Sequence, residues 1–254
     1  IGRTPTDYIS TAFYANSVKL LAKAAKWLEY REEAEKYQRL YESVRSEFRK
    51  NFVSPNGLPC ADTQTAYVLA LMFDLLEEKD RKNATETLVR LLHDNRDHLN
   101  TGFVGTPYLC HVLSGFGHHD LACKLLLHTD LPSWLYPVTK GATTIWEHWD
   151  GIREDGSFWD DIMNSFNHYS YGSIGDWKLP AFRLTRKYRG TGISFFGRAL
   201  PTECALPERS MNRPMDRLFP VGKEMKRKLK LRFQSQRTLL RQSHCQRHGF
   251  HNCG

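Results

Sequence analysis

Residues 6–52 read TDYISTAFYANSVKLLAKAAKWLEYREEAEKYQRLYESVRSEFRKNF, two helical patterns in succession. In the first, Thr6 or Asp7 is the cap candidate, and Phe13, Val18, Leu21 and Ala25 fall on or near one face of a 3.6-residue period. The second, residues 31–52, opens acidic and closes basic, which suits the helix macrodipole. Its Tyr37, Leu40, Val44 and Phe48 recur at spacings of three and four. Two such helices with so short a break between them predict a helical hairpin.

The same texture continues outward. VSPNGLPCAD (53–62) contains Pro-Asn-Gly and reads as a turn, with a short strand as an option. TQTAYVLALMFDLL (63–76) is apolar nearly all round, so it is expected to be a buried helix, followed by an amphipathic one in DRKNATETLVRLLHDN (80–95). After a loop expected at NTGFVG (100–105), TPYLCHVLSGFG and HHDLACKLLLHT (106–129) predict two short helices. No segment alternates as a strand does. The fold class is therefore all-α, a toroid of helical hairpins. A helical repeat array is disfavoured because no 34-residue self-similarity is visible.

At 254 residues the chain is long enough to bury a real core. No stretch of about 18 apolar residues is present, so no membrane span is expected. The opening IGRTPTDYIS lacks a basic region followed by an apolar run, so it does not read as a signal peptide, and the missing initiator Met leads us to expect a fragment or a processed chain. Cys60, Cys110, Cys123, Cys204, Cys245 and Cys253 include no C-x-x-C pair. We expect neither a zinc site nor a disulfide framework, and a reducing, cytoplasmic setting. The net charge of +8 averages two unlike halves: residues 1–177 carry −6 and residues 178–254 carry +14. All six Trp lie in the first part, the last of them Trp177, so a boundary is expected there.

Between about 130 and 177 the sequence packs Trp, Tyr, Phe, Asp, Glu, Asn, His and Gly together with few aliphatics. A carbohydrate site needs that mixture: aromatic faces stack on sugar C–H surfaces, while carboxylates, amides and imidazoles bind hydroxyls. The alternative is an ordinary aromatic-rich loop closing a helical domain.

Four strings carry a resemblance: TAFYANSVKLLA (11–22), TGFVGTPYL (101–109), GATTIWEHWDG (141–151) and MNSFNHYSYGSIGDW (163–177). With them the chain resembles glycoside hydrolase family 78, the α-L-rhamnosidases, over essentially all of residues 1–177. The first string is shared by many helical glycosidases; the last two are specific. The resemblance implies a partial (α/α)6 barrel, a six-hairpin toroid, and inverting release of terminal α-L-rhamnose from a rhamnose-containing glycoside or polysaccharide. It places the general base on Glu147, in the T-I-W-E motif, and points His168 at the sugar hydroxyls. It implies no cofactor, no nucleic acid and no membrane.

Inverting hydrolysis needs one carboxylic acid for the leaving oxygen and one carboxylate to activate water on the opposite face. Glu147, between Trp146 and His148, suits the second role, although a structural Glu paired to an Arg remains open. Asp150, Asp155, Asp160 and Asp161 are near but are no better candidates for the base. His168 is otherwise a loop His satisfied by backbone. Trp149 is either an apolar wall of the sugar pocket or a packing Trp. His118, His119 and the other His of residues 1–177 show no i, i+4 ligand spacing, so no metal is assigned. The family's general acid lies in a motif resembling D-E-R-x-G-W-T-G-D ahead of the matched region. That motif is absent here, so about two-thirds of the toroid and half of an active site are expected.

Residues 178–254 have no hydrophobic period. One reading is a basic arm for nucleic acid or anionic surfaces, with a basic amphipathic helix in residues 223–237. Another is a wrong-frame translation. Degenerate codons for Tyr188–Pro201 and Asn212–Gln246, read from the third base of each residue, permit sequence that resembles the β-sandwich following the rhamnosidase barrel. Two functions compete with the rhamnosidase reading: another (α/α)6 glycosidase or lyase, and a helical nucleic-acid-binding protein with a basic arm.

Overall fold

The computed structural model describes residues 3–183, so the whole reading of the basic tail beyond that point lies outside the described residues. The described residues group into two compact units, 3–20 with 37–183 and 21–36. The packing and the site described below belong to the first.

Eight α-helices follow in order: α1 (Thr6–Trp27), α2 (Arg31–Phe52), α3 (Gln64–Met72), α4 (Glu78–Asp94), α5 (Gly102–Gly115), α6 (His119–Leu127), α7 (Tyr136–Thr139) and α8 (Ile174–Arg183). Among the described residues there is no β-strand, only two isolated bridges, Val53 with Pro59 and Ile152 with Phe158. No described helix is long and apolar enough to cross a membrane.

The first six helices pair as three antiparallel hairpins. Tyr8, near the start of α1, meets Phe48 and Phe52 near the end of α2 edge-on, at 4.9 and 5.4 Å between ring centroids. Gln64, at the start of α3, donates from Nε2 to the Leu91 carbonyl near the end of α4 (3.4 Å) and to the His98 carbonyl beyond it (3.1 Å). Ser114, at the end of α5, meets His119 Nδ1 at the start of α6 (3.0 Å).

Each helix has local reasons to form where it does. α2 carries Glu32 and Glu33 in its first turn and Arg49 and Lys50 in its last, so both ends complement the dipole. Thr63 caps α3 by accepting from the Ala66 N–H at 3.2 Å. Every residue of Gln64–Leu71 is buried, as expected of an all-round apolar helix. Leu69, Leu88, Leu92, Leu109 and Leu113 have no accessible surface. Each such side chain contributes about 1.5–3 kcal/mol relative to exposure.

Four local expectations change. α1 includes Thr6 in its first turn, and Asp7 Oδ1 accepts its neighbour's Tyr8 N–H, so neither acts as the expected cap. The buried stripe of α1 passes through Tyr8, Ala12, Ala15 and Val18, while Leu21 is exposed. α3 ends at Met72 because the chain turns left-handed at Asp74 (φ 59°); Phe73, Leu75 and Leu76 are buried from that turn rather than from a longer helix. α5 starts at Gly102, inside the expected loop. The reason is Gly105, where an added Cβ would lie 2.9 Å from both the Thr101 side chain and Thr65 Oγ1. The glycine lets α5 lie against α3, and Thr65 Oγ1 donates to the Thr101 carbonyl at 2.9 Å.

Candidate active site

After α6 the chain leaves helical packing for a run of turns over residues 128–169, broken only by α7, and then enters a 3-10 turn at Ser170–Ser173 and α8. Helical backbone satisfies its own polar groups; turns must find partners elsewhere. Here side chains supply them. Buried Trp134 donates from Nε1 to the Tyr171 carbonyl at 3.0 Å. Tyr136 Oη donates to the Ile152 carbonyl at 3.0 Å, and Asn164 Nδ2 to the Gly151 carbonyl at 2.8 Å. Trp177 Nε1 donates to Ser114 Oγ at 2.8 Å, which ties α8 to α5. Gly151 is buried, and a Cβ there would come within 3.1 Å of the Trp146 ring and 3.3 Å of the Phe166 ring.

Glu147 sits in this framework, half-buried, in a reciprocal clamp with Ser165. Its N–H donates to the Ser165 carbonyl at 2.8 Å, and its Oε2 accepts the Ser165 N–H at 3.1 Å. Its Oε1 takes no hydrogen bond among the described residues. The expected alternative, an Arg partner, is not what holds it. The carboxylate is oriented through one oxygen, and the other is free of hydrogen bonds among the described residues.

His168 lies beside the same segment, because its N–H donates to the Ile145 carbonyl at 2.8 Å. Residues 144–147 and 165–168 therefore run side by side without forming a regular ladder. His168 Nδ1 accepts from the Ser170 N–H at 3.4 Å, which assigns the ring proton to Nε2 and makes that nitrogen a donor. The imidazole stacks on Phe103 from α5 (5.2 Å, 15°), and Phe103 meets Tyr171 at 5.1 Å. Tyr171 stacks face to face on Trp149 (3.7 Å, 17°), and Trp149 meets Trp134 edge-on at 5.4 Å. One train of rings thus joins His168 to Trp149. Burial pushes the Tyr171 phenol up to about 12, so it stays neutral.

The neighbouring carboxylates are engaged in turns. Asp155 Oδ1 accepts from Ser157 Oγ (2.7 Å) and Ser157 N–H (2.9 Å), and these bonds hold it below the usual carboxylate range. Asp160 Oδ1 accepts from the N–H groups of Met163 and Ile162, both at 2.7 Å, with the same consequence. Both are exposed, as is Asp161; Asp150 is half-buried.

Phe103, Tyr171 and Trp134 were not singled out by the sequence. Phe103 and Tyr171 lie inside strings that carry the resemblance, but nothing local says that rings 68 residues apart will meet. Exposed aromatics rim the region: Phe103, Phe158, Trp159 and Tyr169, the last 89% exposed, with Trp159 stacked on His148 at 3.6 Å. A cavity of about 270 Å³ lies elsewhere, lined by Arg49, Ser54, Gly57, Glu77 and Asp80 among others.

Several known proteins share this sequence and arrangement. An α-L-rhamnosidase of Streptomyces avermitilis is 46% identical over 174 residues, 68% of this chain and 17% of the relative. One from Alteromonas sp. (strain LOR) is 42% identical over 194 residues, covering 72% and 21%. The crystal structure of the Streptomyces avermitilis α-L-rhamnosidase complexed with L-rhamnose superposes with a TM-score of 0.67 at 45% identity, over 70% of this chain and 17% of that one. Native α-L-rhamnosidase from Aspergillus terreus gives 0.67 at 37% identity, over 68% and 20%. The chain spans about a fifth of the length of the relatives it matches. Residues 2–180 match the family model for the bacterial α-L-rhamnosidase six-hairpin glycosidase domain. With three helical hairpins and no strand among its described residues, the chain belongs to that family of glycoside hydrolases.

Proposed function

We propose that this chain is part of an enzyme that releases terminal α-L-rhamnose by inverting hydrolysis, with Glu147 as the general base. The observation that carries the reading is the Ser165 clamp. It orients the carboxylate through Oε2 and leaves Oε1 for a water molecule. His168 Nε2, as donor, binds a sugar hydroxyl, and Trp149 contributes an apolar wall through the stack that leads to it. The base removes a proton from water as the water oxygen attacks the anomeric carbon. The glycosidic bond breaks on the opposite face, where a carboxylic acid must protonate the leaving oxygen.

On this reading residues 1–177 are catalytic-domain sequence and residues 178–254 a basic tail out of frame with a β-sandwich. The motif that carries the acid is not in this sequence. The chain by itself therefore does not hydrolyse rhamnosides with poor leaving groups. Two measurements test the reading. At the matching position of a full-length relative, Glu147→Gln is expected to lower turnover of an aryl rhamnoside by about 10²–10⁴-fold while rhamnose binding persists; unchanged turnover removes Glu147 as base. The isolated chain, given the same substrate, is expected to show no turnover above background, and rates near those of a complete enzyme overturn the half-site reading.

A further inference from the structure

A second cluster lies away from Glu147, where the turn after α4 meets the segment after α6. His98 Nε2 is 3.1 Å from Asp130 Oδ2, and His128 Nδ1 is 3.4 Å from Asp130 Oδ1. One ligand-type atom from each of the three residues lies within 4.8 Å of the others. We propose that His98, His128 and Asp130 form a zinc-class divalent metal site that cross-links these two segments.

The argument rests on where the other ring nitrogens go. His98 Nδ1 meets the Arg96 carbonyl at 2.8 Å, and His128 Nε2 meets the Asp97 carbonyl at 3.0 Å. A carbonyl only accepts, so each of these nitrogens carries its ring's proton. In the neutral tautomers His98 Nε2 and His128 Nδ1 then hold lone pairs, and both face a carboxylate. In those tautomers three acceptors converge with no donor among them. His98 is buried, and its Nε2, beside Asp130 Oδ2, has no further hydrogen-bond partner among the described residues. A cation resolves that conflict.

The surroundings are those of a built site. Metal-bound imidazoles usually donate their second N–H to a carboxylate or backbone carbonyl, which sets the tautomer and the ring orientation. Here both carbonyls come from consecutive left-handed residues, Arg96 (φ 57°) and Asp97 (φ 59°). The turn is anchored on its other side, where the Asp97 carboxylate takes Lys124 Nζ at 2.5 Å and the His93 ring. Zinc bonds of about 2.0–2.1 Å in a tetrahedron place ligand atoms about 3.3 Å apart, near the separations of the two rings from Asp130. The Asp130 side chain is 69% exposed, so water completes the coordination. A metal must lie in the plane of each imidazole that binds it, yet the two rings stack at 4.2 Å and 22°. Occupancy therefore requires His128, the less enclosed of the two rings, to rotate about its Nε2–carbonyl hydrogen bond so that the stack opens while that bond is kept.

The test uses the full 254-residue chain, stripped of metal and titrated with Zn²⁺ by calorimetry. His244, Cys245, His248, His251 and Cys253 are also metal-binding side chains, so the reading is the difference from variants. Wild type is expected to bind one equivalent more than Asp130→Asn and His128→Gln, and to gain more in Tm on adding zinc. Asp130 is exposed, so its variant keeps the fold if His128→Gln does not. Co²⁺ at this site is expected to give visible absorption that survives alkylation of the accessible thiols and disappears in Asp130→Asn. Equal stoichiometry and equal Tm shifts in wild type and Asp130→Asn, or metal uptake abolished by alkylation alone, would overturn the proposal. So would protonation without metal uptake, the other way to separate three converging acceptors.

Discussion

The helical hairpins of residues 6–127 and the turns of residues 128–173 are stabilised by different means. In the hairpins, backbone hydrogen bonds are internal, and stability comes from area: Leu69, Leu88, Leu92, Leu109 and Leu113 are fully enclosed by side chains like themselves. In the turns, exposed and half-exposed residues predominate, and conformation depends on individual bonds from Trp134, Tyr136 and Asn164 to backbone carbonyls. The hairpins tolerate exchange of one apolar residue for another of the same volume. The turns do not, because each bond has one donor and one acceptor. Glu147 lies in the second kind of structure, mounted on the first.

The largest effect that sharpens this contrast is expected from Leu109→Ala. It leaves a cavity in the core cluster that α3, α4, α5 and α6 share, and chemical denaturation should show a loss of about 2–5 kcal/mol. A smaller loss would mean that the hairpins collapse around the gap and are less closely packed than they look. Tyr136→Phe removes only the hydrogen bond to Ile152 and should cost about 0.5–1.5 kcal/mol. Amide exchange is the better readout here, with faster exchange confined to the turns and none in α3 or α5. Faster exchange throughout would break the distinction between the regions.

The smallest effect is set by pH. The Met163 and Ile162 N–H groups, and those of Ser157 and its hydroxyl, hold the Asp160 and Asp155 carboxyls below their usual range. A depressed carboxyl stabilises the fold above the unfolded pKa of about 3.9 and loses that contribution as pH falls through the folded value. Protection of the Ile162, Met163 and Ser157 amides, relative to their intrinsic exchange rates, should therefore fall below about pH 4. The matching amides of Asp160→Asn should be fast already at neutral pH; a flat profile in wild type would remove these turns as acid-sensitive points.

Much of the fold was legible because periodicity is local. The bounds of α2 follow from its acidic start, its basic end and the stripe through Phe48. Where the reading slipped, a tertiary contact decided the outcome. Gly102 and Gly105 look like loop residues, yet Gly105 is helical because only a glycine lets α5 meet α3 so closely. Phe73, Leu75 and Leu76 look like a continuing helix, yet they are buried from a turn that reverses at Asp74. The candidate site divides the same way. Glu147 and His168 could be named from the strings around them, whereas the ring train needs Phe103 brought from another element. His98 and His128 are thirty residues apart and share no ligand spacing, so no pattern in the chain announces them.

The distribution of tryptophan gives the molecule two optical signatures. Five of the six Trp fall between residues 134 and 177, and Trp149 is in van der Waals contact with Tyr171 and edge-on to Trp134. Near-ultraviolet dichroism, which needs aromatic rings in fixed asymmetric surroundings, therefore reports chiefly on the turns that carry Glu147. Far-ultraviolet dichroism is dominated by the helices. A single sample followed at two wavelengths can thus register the melting of the turns around Glu147 while the hairpins remain wound.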